Sequence, residues 1–74
     1  MAQIEIKDRS GSLLLCLEGP LHGAVLERAQ LMNAMLEGED LGESHLLNAN
    51  LASSNLARVL FVKAILTGAN LEGA

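Results

Sequence analysis

Large apolar residues recur at every fifth position through most of the chain. Each fifth residue from Leu21 to Leu71 is a leucine, except for Phe61, and the residue two positions earlier is small in most units, as at Ala24 and Ala49. Five residues rotate an α-helix by about 140°, so this pattern would wind around a helix instead of forming a stripe. An odd period also changes the face of a β-strand at each repeat. The pattern therefore predicts a coil with flat sides, in which each unit forms one side and one corner.

Composition alone would predict a helix over residues 24–37, which are rich in Ala, Leu, Glu, Met and Gln. The five-residue period contradicts that prediction. Glycines at 38, 42, 68 and 73 are also poor residues for a helix interior.

The first twenty residues follow a different pattern. Ile4 and Ile6 alternate with polar residues, a turn-like segment follows at 8–12, and residues 13–17 are apolar. This order predicts a β-hairpin. Because a solenoid needs an atypical unit to cover the end of its core, we expect residues 1–20 to cap a repeat region of residues 21–74, within one structural domain. Cys16 is expected to be a small buried residue of the second strand.

Three segments carry a family resemblance: Ala-Asn-Leu at 49–51, Ser-Asn-Leu at 54–56 and Ala-Asn-Leu at 69–71. With their neighbours at the same spacing, they resemble the pentapeptide-repeat proteins over about two thirds of the chain. The resemblance implies an all-β fold, a right-handed quadrilateral β-helix with four units per coil, and two to three coils here. It also implies that the central apolar residues form an inward core ladder, namely Leu26, Leu31, Leu36, Leu41, Leu46, Leu51, Leu56, Phe61, Leu66 and Leu71.

In a four-sided β-helix with four units per coil, residues twenty apart would stack in neighbouring coils. Gln30, Asn50 and Asn70 would then form a ladder of amides, and Glu43 and Lys63 an exposed ion pair. Glu39 departs from the pattern, since a carboxylate at an inward position would need partners or displacement toward solvent.

Several apolar residues fall at outward positions. Leu60, Val62 and Ile65 would lie on two adjacent sides of the last complete coil, and Leu47 and Val25 would extend one of these sides. Contiguous exposed apolar residues usually mark an interface. The C-terminal end has no predicted cap, so Leu71 joins this candidate interface. The end is covered either by further chain or by another copy, and we expect a homodimer through the end or through the apolar side.

Composition and net charge limit the classes of partner that the chain is expected to bind. The chain has 74 residues, half of them apolar, one aromatic residue, one cysteine and a net charge of −4. The acidic balance argues against nucleic-acid binding. No apolar run is long enough for a membrane span, and no signal peptide begins the sequence, so a cytoplasmic location is expected.

Catalytic and metal-binding motifs are not found in the sequence. His22 and His45 are placed on different sides of the coil, and no nucleophile, metal-ligand cluster or phosphate loop accompanies them. We therefore expect no enzyme activity and no cofactor or metal, and predict a structural or protein-interaction module. The alternative is a DNA mimic acting on DNA gyrase, as the resemblance to longer family members implies. The short length and the basic residues among the outward acids disfavour it.

Overall fold

The computed structural model describes residues 3–74, and within them the fold is all-β without a helix. Strand β1 spans Gln3–Lys7 and strand β2 spans Leu13–Glu18, and they pair as an antiparallel hairpin. The turn is held by the Asp8 carboxylate, whose Oδ1 accepts the N–H groups of Ser10 at 2.9 Å and Ser12 at 3.0 Å. Met1 and Ala2, which the predicted cap includes, lie outside the described residues. No helix in the described part is long and apolar enough to cross a membrane.

Residues 21–74, the repeat region, form one tight turn in every five-residue unit. The apolar residue accepts a hydrogen bond from the N–H three residues later, as between Leu46 O and Ala49 N at 3.0 Å. The residue two positions after the apolar one has a positive φ, the geometry that a type II turn requires. This holds along the whole region, at Gly23, Arg28, Asn33, Gly38, Glu43, Asn48, Ser53, Arg58, Lys63, Gly68 and Gly73.

Successive layers of the repeat region are stacked by parallel pairing between residues twenty apart. Gln30 pairs with Asn50, which pairs in turn with Asn70. The pairing uses hydrogen bonds such as Leu46 N to Ile65 O at 2.8 Å. Four turns therefore separate paired residues, and the backbone groups between the turns are satisfied by the neighbouring layer rather than by water.

The core follows the apolar positions of the repeat. Six of the predicted ladder residues are at most 6% exposed: Leu26, Leu31, Leu36, Leu41, Leu46 and Leu51. Ala34, Ala49, Ser44 and Ser54 fill the space between them. Leu56, Phe61 and Leu66 are partly buried, and Leu71 is 40% exposed. The apolar positions thus become progressively more exposed toward the C-terminal end.

The hairpin packs against the first layer of the repeat region. Ile6 is 1% exposed and belongs to the core. The Met35 N–H donates to Lys7 O at 2.8 Å, just as the Asn55 N–H one layer later donates to Ala34 O at 2.9 Å. The β1 strand therefore supplies one of the acceptors that a preceding layer would supply.

One sequence expectation about burial is wrong. Cys16 is exposed rather than buried, and it lies on a strand of a sheet that has only two strands within residues 3–74. For Glu39, which holds a small-residue position of the repeat, the sequence left two outcomes open, and the exposed side chain shows that it is displaced toward solvent. Its N–H still donates to Leu36 O at 3.1 Å, so the backbone turn is kept while the carboxylate lies in solvent.

Candidate interaction surface

Three apolar side chains form an exposed group, which we name the apolar surface: Leu60, Val62 and Ile65. They are 55%, 66% and 43% exposed. Their carbonyls accept the N–H groups of the preceding layer, for example Leu60 O from Leu41 N at 2.8 Å, so the backbone is fixed beneath the exposed side chains. Leu47, predicted to extend this surface, is only half-exposed.

Leu71, the remaining predicted interface residue, belongs to a different feature. It lines an open pocket of about 460 Å³ together with Leu56, Ala57 and Ala74. The structure therefore gives two apolar features near the C-terminal end. One is the apolar surface on the side of the repeat region, and the other is this pocket.

Carboxylates surround His22 where the first layer meets the second. His22 Nδ1 lies 3.3 Å from Asp40 Oδ2, and Nε2 lies 3.5 Å from Glu43 Oε2. The Gly42 N–H donates to Asp40 at 2.9 Å and, with the His22 contact, lowers the pKa of Asp40. The expected Glu43–Lys63 ion pair does not form within residues 3–74, because Glu43 faces the imidazole instead.

The asparagines before the leucines turn back to their own backbone. Asn50 Oδ1 accepts the Ala52 N–H at 3.1 Å, and Asn70 Oδ1 accepts the Glu72 N–H at 3.0 Å. The expected amide ladder of Gln30, Asn50 and Asn70 is therefore wrong: in the described chain, no hydrogen bond joins these amides. The N–H of the second residue of each turn has no partner in the parallel ladder. The short Asn or Asp side chain two residues earlier accepts that N–H instead.

The buried hydroxyls have structural partners. Ser44 Oγ donates to Leu41 O at 2.6 Å, and Ser54 Oγ donates to Leu31 O at 2.7 Å while accepting the Ala34 N–H at 3.1 Å. Residues 3–74 contain no group of three or more His, Cys, Asp or Glu residues that could hold a metal ion. What the described surface offers is contact area, charge and backbone hydrogen-bonding groups.

A family model described as "Pentapeptide repeats (8 copies)" matches residues 41–74. No curated protein and no solved structure matches the chain. The turns and the twenty-residue pairing of the matched segment continue back through residues 21–40. The resemblance seen in the sequence is thus confirmed over residues 41–74, which match the pentapeptide-repeat family model, and such repeats imply a β-helix.

Proposed function

We propose that the repeat region is a right-handed, four-sided β-helix of two to three coils, and that it serves as a non-enzymatic protein-interaction module that self-associates. The coil assignment is supported by the pairing of residues twenty apart, which places four turns in each circuit. The hairpin acts as the N-terminal cap, supported by buried Ile6 and by the Lys7 carbonyl that accepts the Met35 N–H. A cytoplasmic location stays a prediction.

The observation that carries the proposal is the apolar surface. Three large side chains exposed together, on backbone that is itself hydrogen-bonded, would be solvated at a cost of about 25 cal/mol for each Å² of apolar area. Exposed apolar groups of this kind mark contact sites on soluble proteins. Burial against another molecule removes that cost.

Charge next to the apolar surface supports a second copy as the partner. Lys63 lies between Val62 and Ile65 in sequence, and Glu43 lies one coil away at the same turn position. In an isologous dimer the same surface meets itself, so Lys63 of each copy would approach Glu43 of the other and share that carboxylate with His22. Such complementarity offsets the repulsion between two chains that each carry a net charge of −4.

The test is the mass in solution. Multi-angle light scattering of the full chain should give a dimer, and the double variant Leu60→Asp with Ile65→Asp should give a monomer. The matched control is Met32→Asp with Met35→Asp, which replaces comparably exposed residues of the first coil in other columns, 48% and 46% exposed, and should leave the mass unchanged. A monomeric parent, or a dimer that survives the first double variant, would contradict self-association through this surface.

The gyrase-directed DNA mimic gains no support from the arrangement of the acids. Glu37 is paired with Arg58, and Asp40 and Glu43 both face His22. A mimic needs a row of free negative charges at the spacing of phosphates. A supercoiling assay in which the chain inhibits gyrase would reverse this preference.

A further inference from the structure

His45 lies in the same column of the parallel ladder as one residue of the apolar surface. It pairs with Ile65 of the next coil and with Val25 of the preceding coil. Paired residues of adjacent coils lie about 4.8 Å apart and point to the same face. His45 is exposed on a fixed backbone, because its N–H donates to Ala24 O at 2.8 Å and its carbonyl accepts the Leu26 N–H at 2.7 Å. The imidazole therefore borders the apolar surface.

The His22 ring borders the apolar surface at the neighbouring corner. It fills the space beside Gly42, where a Cβ would lie 3.0 Å from the ring atoms Cε1 and Nδ1. Gly42 precedes Val62 by one coil at the same turn position. Both ring nitrogens face carboxylates, since Nδ1 lies 3.3 Å from Asp40 Oδ2 and Nε2 lies 3.5 Å from Glu43 Oε2. A positive charge on this ring is therefore balanced by its neighbours.

A positive charge on His45 has no such balance. Within residues 3–74 the His45 ring takes part in no ion pair and no side-chain hydrogen bond. Its column neighbours, Val25 and Ile65, are apolar. The charged residues on the turns that flank this column are Glu27, Arg28, Glu43 and Lys63. The first two cancel in net charge, the third faces His22, and the fourth has the sign of a protonated imidazole.

We propose that protonation of His45 weakens self-association through the apolar surface, so that the dimer is sensitive to pH. The proposal rests on the proposed function, because it concerns the regulation of the same surface. Histidine is the side chain that ordinarily changes charge between about pH 5 and pH 8. A neutral ring can enter an apolar contact beside Ile65, whereas a charged ring must keep its water. His22 is not the switch, because Asp40 and Glu43 balance its charge.

Net charge alone would give the opposite dependence. Each chain carries −4 when its histidines are neutral, so each proton gained lowers the repulsion between two copies and would strengthen the dimer. The carboxylate nearest to Leu60 in the ladder does not confuse the comparison. The pKa of Asp40 is lowered by the Gly42 N–H and then by His22, so Asp40 stays ionised in mild acid. The sign of the change therefore separates the two explanations.

Sedimentation equilibrium of the full chain measures the dissociation constant of the dimer at about pH 7.5 and about pH 5.5. The constant should be at least about tenfold higher at the lower pH. His45→Gln should hold it within about twofold between the two conditions, and His45→Arg should raise it in both. His22→Gln is the matched control and should keep the dependence of the parent. Circular dichroism at both pH values checks that every variant is folded.

The outcomes separate this proposal from the proposed function. A dimer whose dissociation constant is unchanged or lower in acid would overturn the role of His45 and leave self-association intact. A dependence that survives in His45→Gln, or that disappears in His22→Gln, would also overturn it. A parent that is monomeric at both pH values would overturn both proposals.

NMR titration of the two imidazoles gives a readout that a purely structural role of His45 would not change. Because proton binding and association oppose each other, the midpoint of the His45 titration should move to lower pH as the protein concentration is raised through the dissociation constant. The His22 midpoint should move less. A His45 midpoint that does not depend on concentration in a dimerising protein would refute the proposal.

Discussion

Leu46 and Leu71 occupy the equivalent position in two different repeat units, yet Leu46 is fully buried and Leu71 is 40% exposed. Each closes its unit with the same turn, in which its carbonyl accepts the N–H of the alanine three residues later, Ala49 or Ala74, at 3.0 Å. The difference lies in the neighbours, since Leu46 has a layer on each side. In this fold, the repeat determines which way a side chain points, whereas its burial depends on how many layers lie next to it along the stack.

The largest expected effect is on the buried member of this pair. Leu46→Ala should lower the free energy of unfolding by about 2–5 kcal/mol, because a cavity remains between two fixed layers. Leu71→Ala should cost much less, because solvent already reaches the side chain. Urea denaturation of both variants measures the contrast. Equal losses would show that the middle and the last layer of the stack are equally packed.

A second pair compares glycines of the first and third layers. Gly38 and Gly68 both have positive φ, but a Cβ at Gly38 meets no atom within 4 Å, while one at Gly68 would overlap Asn48 Oδ1. Gly38→Ala should cost about 1–2 kcal/mol from left-handed backbone strain alone. Gly68→Ala should cost more, because the Asn48 amide must also move. Thermal melts should show that adding Asn48→Ala to Gly68→Ala reduces the loss to that of Gly38→Ala; no reduction would contradict the overlap.

The asparagine caps give a smaller contrast. Asn50→Ala leaves the part-buried Ala52 N–H without its acceptor and should cost about 1 kcal/mol. Asn70→Ala leaves the exposed Glu72 N–H to water and should cost less. Chemical denaturation of both single variants tests this. A larger loss at Asn70 would mean that the last layer is more protected than its exposure indicates.

The smallest effect is on pH dependence and compares the hairpin with the repeat region. The pKa of Asp8 is lowered by hydrogen bonds from the Ser10 hydroxyl and the Ser12 N–H, and that of Asp40 by the Gly42 N–H and then by His22. Both folded pKa values lie below the ordinary 3.8, so the folded protein binds fewer protons than the unfolded chain. The stabilisation is therefore complete above that value and is lost as the pH falls through the folded pKa.

Asp8→Asn and Asp40→Asn should each flatten the acid limb of the stability curve as the pH falls below the ordinary pKa of 3.8. Equilibrium urea midpoints at several pH values provide the measurement, with Glu27→Gln as a matched exposed control. An acid limb as steep as in the parent for either aspartate variant would show that its turn does not depend on the charged form.

The period of five marks the ladder positions, and six of them, from Leu26 to Leu51, are at most 6% exposed. It could not predict that Leu56, Phe61 and Leu66 would be only partly buried, since that depends on which layers cover them. The positive φ at the third residue of each turn was not predicted from the sequence. The signal was present in Gly23, Gly38, Gly68 and Gly73, which share one phase of the repeat.

The outward positions were predicted less well. Stacking at twenty residues correctly paired Gln30, Asn50 and Asn70, but the amides bond to the backbone two residues on. Spacing gives neighbours, whereas the nearest unsatisfied N–H decides where a short polar side chain turns. For the same reason Glu43 faces His22 across the start of the coil rather than Lys63 in its own column.

The left-handed corners also determine what the sequence is free to vary. Arg, Asn, Glu, Ser, Lys and Gly all occupy that corner, while none of the β-branched or aromatic residues does. Steric exclusion at Cβ therefore removes a few residue types and leaves charge, length and polarity unrestricted. Substitution at these corners changes the outer surface without disturbing the buried core. One backbone can therefore present many different outer faces to many different partners.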